Sequence, residues 1–521
     1  MTHAAVLRLS VAVLTAFWLA GAVMTAARAS EPGSPEIAAR VAALLPELAA
    51  QRSKAMVDWK VPGLAIGIVV GDKVVLAEGH GVRRLRGSAP VDVRTVFQIG
   101  STTKAFAATT LAALIDAGKL GWTDRVEDHY PAFRLYDPWV SREFRIVDLL
   151  AQRSGLAPYV LDFMVHAGYE RRAVVAALAQ ARPVGSFRQS FAYQNILHLV
   201  AGEIVARHAM TPDWEAALQR LLLDPLGMND TTYTAESIET SPDHADGHME
   251  GLSGEVRALP FLRSFYNHGA AGNLNSSVAD MTRWLRFLIG RGRFDGRQVV
   301  GEKALEATWM PLTPVNAGAS MFDLRQSYAS GWLLRQTRNG PIVWHNGGTG
   351  GFKSHIGFAP QLGVGIVILT NQGTGLMADA LAFRFYDRLL GNPDHDYDAE
   401  AQARHGQERV AERARATRPA DARPALPLDR FAGRYRDAAL GDGSIEVAGS
   451  ELTLTLEATR YRLSLTPWNG QVFAGAPAEG EMAEVFRGET PYFITFQIEP
   501  DGRVDGFTMA EDATFRFHRL P

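Results

Sequence analysis

The sequence predicts an α+β fold in which both ends of one long segment build an antiparallel sheet around an inserted helical subdomain. A small all-β domain follows. Three observations predict it. Apolar runs of β type lie at 64–77 and return at 341–370, with helical periodicity between them. A charged stretch at 391–427, ending in Pro419, Pro424 and Pro427, interrupts the pattern. Beyond it, alternation of the Leu452-Thr453-Leu454-Thr455-Leu456 kind runs to the C-terminus.

Each element has its own signal. Residues 37–54 place Val41, Leu44, Leu45 and Leu48 at helical spacing. Leu64–Val70 and Val74–Ala77, separated by Gly71-Asp72, form a hairpin. From Ser101 to Lys119 the pattern is helical, with Phe106, Leu111, Leu114 and Ile115 inward and Gly118 at the C-terminal end. Helical segments and Pro/Gly-punctuated loops fill 120–310. Pro341–Trp344, Phe352–Phe358 and Val364–Thr370 read as a meander split by Gly347–Gly351 and by residues 360–363, and Met377–Leu390 as a closing helix. The expected division is a signal peptide at 1–29, a first domain at 30–390, a linker at 391–427 (a solvated helix, then a stiff tail) and an all-β domain at 428–521. The aromatics of that last domain (Phe431, Tyr435, Tyr461, Trp468, Phe473, Tyr492, Phe493, Phe496) are expected in its core.

Composition narrows the function. The 521 residues carry a formal net charge of −3, which gives no reason to expect nucleic acid or an anionic membrane as partner. Arg8, the apolar run Val11–Ala27 and the Ala27-Arg28-Ala29 site predict export to the periplasm or beyond, with no membrane span after processing. There is no cysteine, so disulfides, cysteine nucleophiles and Cys-ligated zinc are excluded. Asp243-His244-Ala245-Asp246-Gly247-His248 has histidines four apart, but Gly247 favours a loop and no metal site is expected. Asp394–Asp398 is read in the same way, as solvated linker.

Lysine is scarce, occurring only at 54, 60, 73, 104, 119, 303 and 353, so a motif that needs one is informative. Gly100-Ser101-Thr102-Thr103-Lys104 stands where the chain enters an apolar helix. Positions i and i+3 share a helical face, so the Lys104 amine can approach the Ser101 hydroxyl, and burial can lower its pKa into the range of a general base. Taken alone, the same residues also fit an N-cap and a surface lysine. Tyr193-Gln194-Asn195 precedes a helix at 196–207 and offers a phenol for proton transfer and an amide for a carbonyl; a core aromatic and a cap are the plainer account. His345-Asn346-Gly347-Gly348 ends a strand, where a glycine run allows close approach and presents backbone N–H groups, or simply turns.

Together and in this order, S-x-x-K, Y-x-N and H-x-G resemble the serine β-lactamase and penicillin-binding-protein superfamily. The likeness is to its class C-like branch with esterase, D-aminopeptidase and DD-peptidase relatives, since the class A type has S-D-N where this chain has Tyr193-Gln194-Asn195. Leu149–Leu156 is similar to that branch's L-L-x-x-x-S-G-L turn, Pro225-Leu226-Gly227-Met228 to its P-L-G-M segment, and Gly331-Trp332 to its Y-x-x-G-W. The resemblance covers about residues 37–390 and implies the β-lactamase/transpeptidase-like fold, with a lipocalin-like C-terminal extension. It implies Ser101 as acylated nucleophile, Lys104 and Tyr193 sharing the proton transfers, Asn195 on the acyl side chain and His345 facing the site. Ser101 and Gly348 N–H groups would form an oxyanion hole beside Gly347, with no cofactor or metal. The substrate class is a small ester, amide or (D-)peptide. Efficient class C β-lactamases carry K-T-G where this chain has His345-Asn346-Gly347, so a weaker grip on a substrate carboxylate is expected. A catalytically silent penicillin-recognising binder and a true β-lactamase are the alternatives. An α/β-hydrolase is disfavoured, because no G-x-S-x-G elbow is present.

Overall fold

The computed structural model describes residues 31–315, 326–509 and 515–521. The expected signal peptide at 1–29 lies outside the described residues.

The first domain is a three-layer sandwich. Helix α1 (Pro35–Asp58), capped by Ser34, leads into strands β1 (Gly63–Val70) and β2 (Lys73–Gly81). Strands β3 (Thr313–Val315), β4 (Gln326–Tyr328), β5 (Leu333–Thr337), β6 (Gly340–Gly348), β7 (Lys353–Ala359) and β8 (Val364–Thr370) complete an antiparallel sheet in the order β2-β1-β8-β7-β6-β5-β4-β3. The two ends of the segment meet where β1 pairs with β8, from Leu64 opposite Thr370 to Val70 opposite Val364.

Every β1 residue is buried because both sheet faces are covered. Leu64, Ile66, Ile68 and Val70 pack with Ile366 and Ile368 under α1 and the closing helix Met377–Leu390. Ala65 and Val69 face the opposite layer, with Val278, Met281 and Leu285 of the helix Val278–Ile289. Gly67 sits beneath that helix, where a Cβ would lie 2.5 Å from the Thr282 methyl, so the close approach of helix to sheet requires glycine there.

Between β2 and β3 lies the helical subdomain. Its central pieces are α2 (Thr103–Asp116) and α3 (Ile196–Ala209), both almost wholly buried. A single 3₁₀ turn, Gly100–Thr102, precedes α2, and Gly118 at φ +68° ends it.

Two expectations need correction. The glycine run does not break the meander at Gly347, because Gly347 and Gly348 stay in the ladder opposite Ser354 and Lys353. The stretch after residue 391 is also not simply solvated. Its helix, Tyr397–Arg415, buries Tyr397, Ala401 and Arg409. The Tyr397 hydroxyl donates to Asp387 at 2.5 Å, which anchors the helix on the closing helix of the first domain.

Eight strands, from Gly433–Asp437 to Arg516–Arg519, form a closed barrel in sequence order. Closure pairs Tyr435 with Arg519 and leaves no free edge. Alternation fills the interior: Leu452, Leu454 and Leu456 point in beside Phe431, Phe473, Phe496 and Phe507. Tyr461 and Tyr492, expected in that core, instead turn outward and meet Phe163 of the helical subdomain edge-on, at 5.8 and 5.6 Å.

The barrel is docked on the first domain. The Tyr169 hydroxyl donates to the Leu440 carbonyl at 2.6 Å, and the Arg257 guanidinium donates to the carbonyls of Glu484 and Val485, each at 2.8 Å. Leu259 and Leu262 pack against Met482 and Val485. Phe163→Ala is expected to cost about 3 kcal/mol of stability, read as a lower urea midpoint. An unchanged midpoint would mean that these ring contacts add no net docking energy.

Candidate active site

The S-x-x-K signal acts through a turn and a buried helix. Gly100 holds φ +51°, and a Cβ there would lie 2.8 Å from the backbone N and O of Gly348. Glycine therefore lets the turn carrying Ser101 rest against the end of β6. The first turn of α2 places Lys104 inside the domain, with no exposed surface.

Lys104 Nζ has three oxygen neighbours: Ser101 Oγ at 3.1 Å, Asn195 Oδ1 at 2.7 Å and the Ala271 carbonyl at 2.9 Å. Burial lowers its pKa to about 7, against a smaller upward pull from Asp162. In the neutral amine two N–H bonds serve Asn195 and Ala271, which leaves the lone pair for the Ser101 hydroxyl. In the ammonium form all three N–H bonds have acceptors. The site therefore accommodates either state and is poised between them near neutral pH.

Tyr193 and Asn195 approach from the segment entering α3. Gln152 clamps that segment, accepting from the Gln194 N–H at 2.5 Å and donating to the Gln194 carbonyl at 3.1 Å. This is how the turn at Leu149–Leu156 supports the site. The Tyr193 ring lies 4.7 Å from Lys104 Nζ, and Tyr193 and Ser101 line the same cavity. Burial pushes the Tyr193 phenol well above its ordinary range, so it is protonated and able to donate. Asn195 accepts from Lys104 and gives one amide N–H to Asp162 Oδ2 at 2.6 Å, which leaves its second N–H for a ligand.

His345, Gly347 and Gly348 lie together on β6 at the wall of the same cavity. His345 is held on both sides: its Nδ1 donates to the Asn346 carbonyl at 2.5 Å, and its Nε2 accepts from the Tyr328 hydroxyl at 2.9 Å. Burial, with Lys104 close by, lowers its pKa to about 3, so it is an uncharged imidazole. A Cβ on Gly347 would lie 2.0 Å from the Ile99 carbonyl, so glycine is needed for β6 to pass the turn carrying Ser101.

The cavity has a volume of about 740 Å³. Asp162, Tyr328 and Lys353 line it as well. Tyr328 is the tyrosine of the Y-x-x-G-W segment and Lys353 follows the glycine run directly, whereas Asp162 opens a short helix, Asp162–His166, with no motif of its own. The barrel contributes Met482, Val485, Phe486 and Tyr492, and the connecting helix contributes Arg404. His244 and His248 do not meet on a ligand. His248 binds the Asn371 carbonyl at 2.8 Å and accepts from Leu85 N–H, whereas His244 meets the Ser241 carbonyl.

The family profile described as beta-lactamase matches residues 43–390. The chain belongs to the beta-lactamase family. A second profile, a domain of unknown function (DUF3471), matches residues 417–521. An unguisins hydrolase of Aspergillus campestris is 26% identical over 72% of this chain and 73% of its own length. Penicillin-binding protein 4 of Amycolatopsis lactamdurans is 29% identical over 64% of this chain and 86% of its own. Among solved structures, an octameric penicillin-binding protein homologue from Pyrococcus abyssi shares the fold, with a TM-score of 0.60 and 22% identity over 91% of this chain and 99% of that one. Family membership carries a function of the serine-hydrolase type.

The lowered pKa of Lys104 is also a statement about stability. Between about pH 7 and pH 10 the unfolded chain holds a proton on Lys104 that the folded chain has released, so folding stability gains with pH across that window. Lys104→Met removes this dependence. The Tm difference, mutant minus wild type, is expected to be level below about pH 7 and to fall from there to pH 10. A level difference throughout would mean that Lys104 titrates normally in the fold.

Proposed function

We propose that the protein is a serine hydrolase that acts through an acyl-enzyme on an ester, amide or peptide bond, with Ser101 as nucleophile. The observation that carries the proposal is the buried Lys104 amine, 3.1 Å from Ser101 Oγ, with a pKa of about 7.

In this reading the Ser101 hydroxyl proton passes to the Lys104 lone pair as Oγ attacks the substrate carbonyl carbon. The N–H groups of Ser101 and Gly348 receive the developing oxyanion. Collapse of the tetrahedral adduct breaks the bond to the leaving group. Tyr193 donates its phenolic proton to that group and recovers one from the Lys104 ammonium. Water then enters, gives a proton to the same relay and releases the acid. The water oxygen bonds to the acyl carbon as the acyl–Oγ bond breaks, and the relay passes the water's proton to Ser101 Oγ. The enzyme thus regains its starting protonation, while one proton has left with the leaving group.

A silent binding protein would have no use for the whole set of Ser101, Lys104, Tyr193 and Asn195, and a chain that keeps them together favours turnover. Two observations favour an esterase or peptidase over an efficient β-lactamase. His345 is neutral where K-T-G enzymes place a cation, and the relatives include an unguisins hydrolase as well as penicillin-binding proteins. Export to the cell envelope is part of the same proposal, supported by the n-region, apolar run and Ala27-Arg28-Ala29 site of the sequence.

Hydrolysis of p-nitrophenyl butyrate is expected for the wild type and not for Ser101→Ala; turnover that survives the substitution would overturn the proposal. The pH profile of kcat/KM should show an acid limb centred near 7, because Lys104 accepts a proton only once it is neutral. Below that point the rate should fall about tenfold per pH unit. A limb near 4 or near 10 would assign the base to another group.

A further inference from the structure

We propose that Lys353 is an anchor for a carboxylate on the substrate, supplying from β7 the cation that β6 lacks. The proposal deepens the acyl-serine reading and rests on it only in taking the anchored molecule to be the substrate of Ser101.

Lys353 is the first residue of β7 and pairs with Gly348 across the turn at 349–352. Its ammonium lines the cavity, and a Cβ on Gly348 would lie 3.0 Å from Nζ. The missing side chain at Gly348 thus leaves Nζ room beside the backbone on which Gly100 rests. Among the described residues no hydrogen bond or ion pair reaches Nζ.

The nearest carboxylates are already engaged. Asp379 accepts from His355 Nδ1 and from Asn346 Nδ2, each at 2.7 Å. Glu408 accepts from Arg404 Nε at 3.0 Å. An ammonium drawn into a half-buried cavity without a counterion is unfavourable until an anion arrives. Burial accordingly lowers its pKa, with Asp379 and Glu408 pulling less strongly the other way.

The rest of the wall explains why the charge matters here. His345, on the neighbouring strand, is neutral and fully hydrogen-bonded, so it cannot hold an anion. The barrel closes this side with Met482, Val485, Phe486 and Tyr492, which exclude water and strengthen any charge pairing within. A single ammonium is a point charge suited to a monoanion such as a carboxylate. Arg404, paired with Glu408, stands at the same wall.

The test compares mono-p-nitrophenyl glutarate with p-nitrophenyl butyrate for wild type, Lys353→Met and Lys353→Arg. The ratio of the two kcat/KM values is expected to fall about tenfold or more in Lys353→Met and to recover in Lys353→Arg. A ratio that stays constant, whatever happens to the absolute rates, would overturn the anchor and leave the Ser101 mechanism standing. A second measurement needs no turnover: calorimetric binding of monomethyl glutarate to Ser101→Ala and to Ser101→Ala/Lys353→Met. Weaker binding to the double variant supports the anchor even if the acyl-serine reading fails. Equal binding would overturn the anchor.

Discussion

An amine without solvent contact has to find its hydrogen bonds inside the protein, and Lys104 is placed under that constraint by the first turn of α2. Its three neighbours come from three separate parts of the chain: the turn before α2, the cap of α3 and the end of the 3₁₀ helix Arg263–Ala271. If any of these moved, a polar group would be left unsatisfied in a medium where that is costly. The burial that fixes the geometry also brings the pKa to about 7. Position and basicity thus have one cause, and the neighbouring elements can be understood by how they maintain it.

The central sheet serves this arrangement by holding β6 against the turn that carries Ser101. Gly100 and Gly347 meet the facing segment at its backbone, and a side chain at either position would force the two segments apart. Gln152 does the equivalent work for the Tyr193–Asn195 segment through a pair of hydrogen bonds to Gln194. Asp162 extends the network, holding Asn195 by its amide and balancing the charge that appears on Lys104 when it takes a proton. Ser101, Lys104, Tyr193 and Asn195 are therefore positioned by backbone contacts and by a clamp built from Gln152.

The barrel gives the cavity its wall on one side. Arg257, Tyr169 and the Phe163 cluster seat it against the helical subdomain, and this seating brings Tyr492 and Phe486 to the site. The cavity is thus lined from two domains, with apolar barrel side chains facing a polar floor. The neutral His345 and Lys353 stand on adjacent strands of that floor.

Much of this was legible in the chain itself. Periodicity identified the two ends of the sheet, the helices between them and the β-rich C-terminal part. The ordered motifs identified Ser101, Lys104, Tyr193, Asn195 and the β6 residues as neighbours, because each motif is local and its spacing reflects one helix turn, one cap or one strand end. The sequence by itself determined the elements and the family. Tertiary structure alone decided that Tyr461 and Tyr492 leave the barrel core for its interface, that Tyr397 is buried rather than solvated, and that Asp162 and Lys353 enter the cavity. Alternation and helical spacing report which face of an element is apolar. They do not report which distant element covers that face, and burial, charge pairing and pKa all depend on that cover.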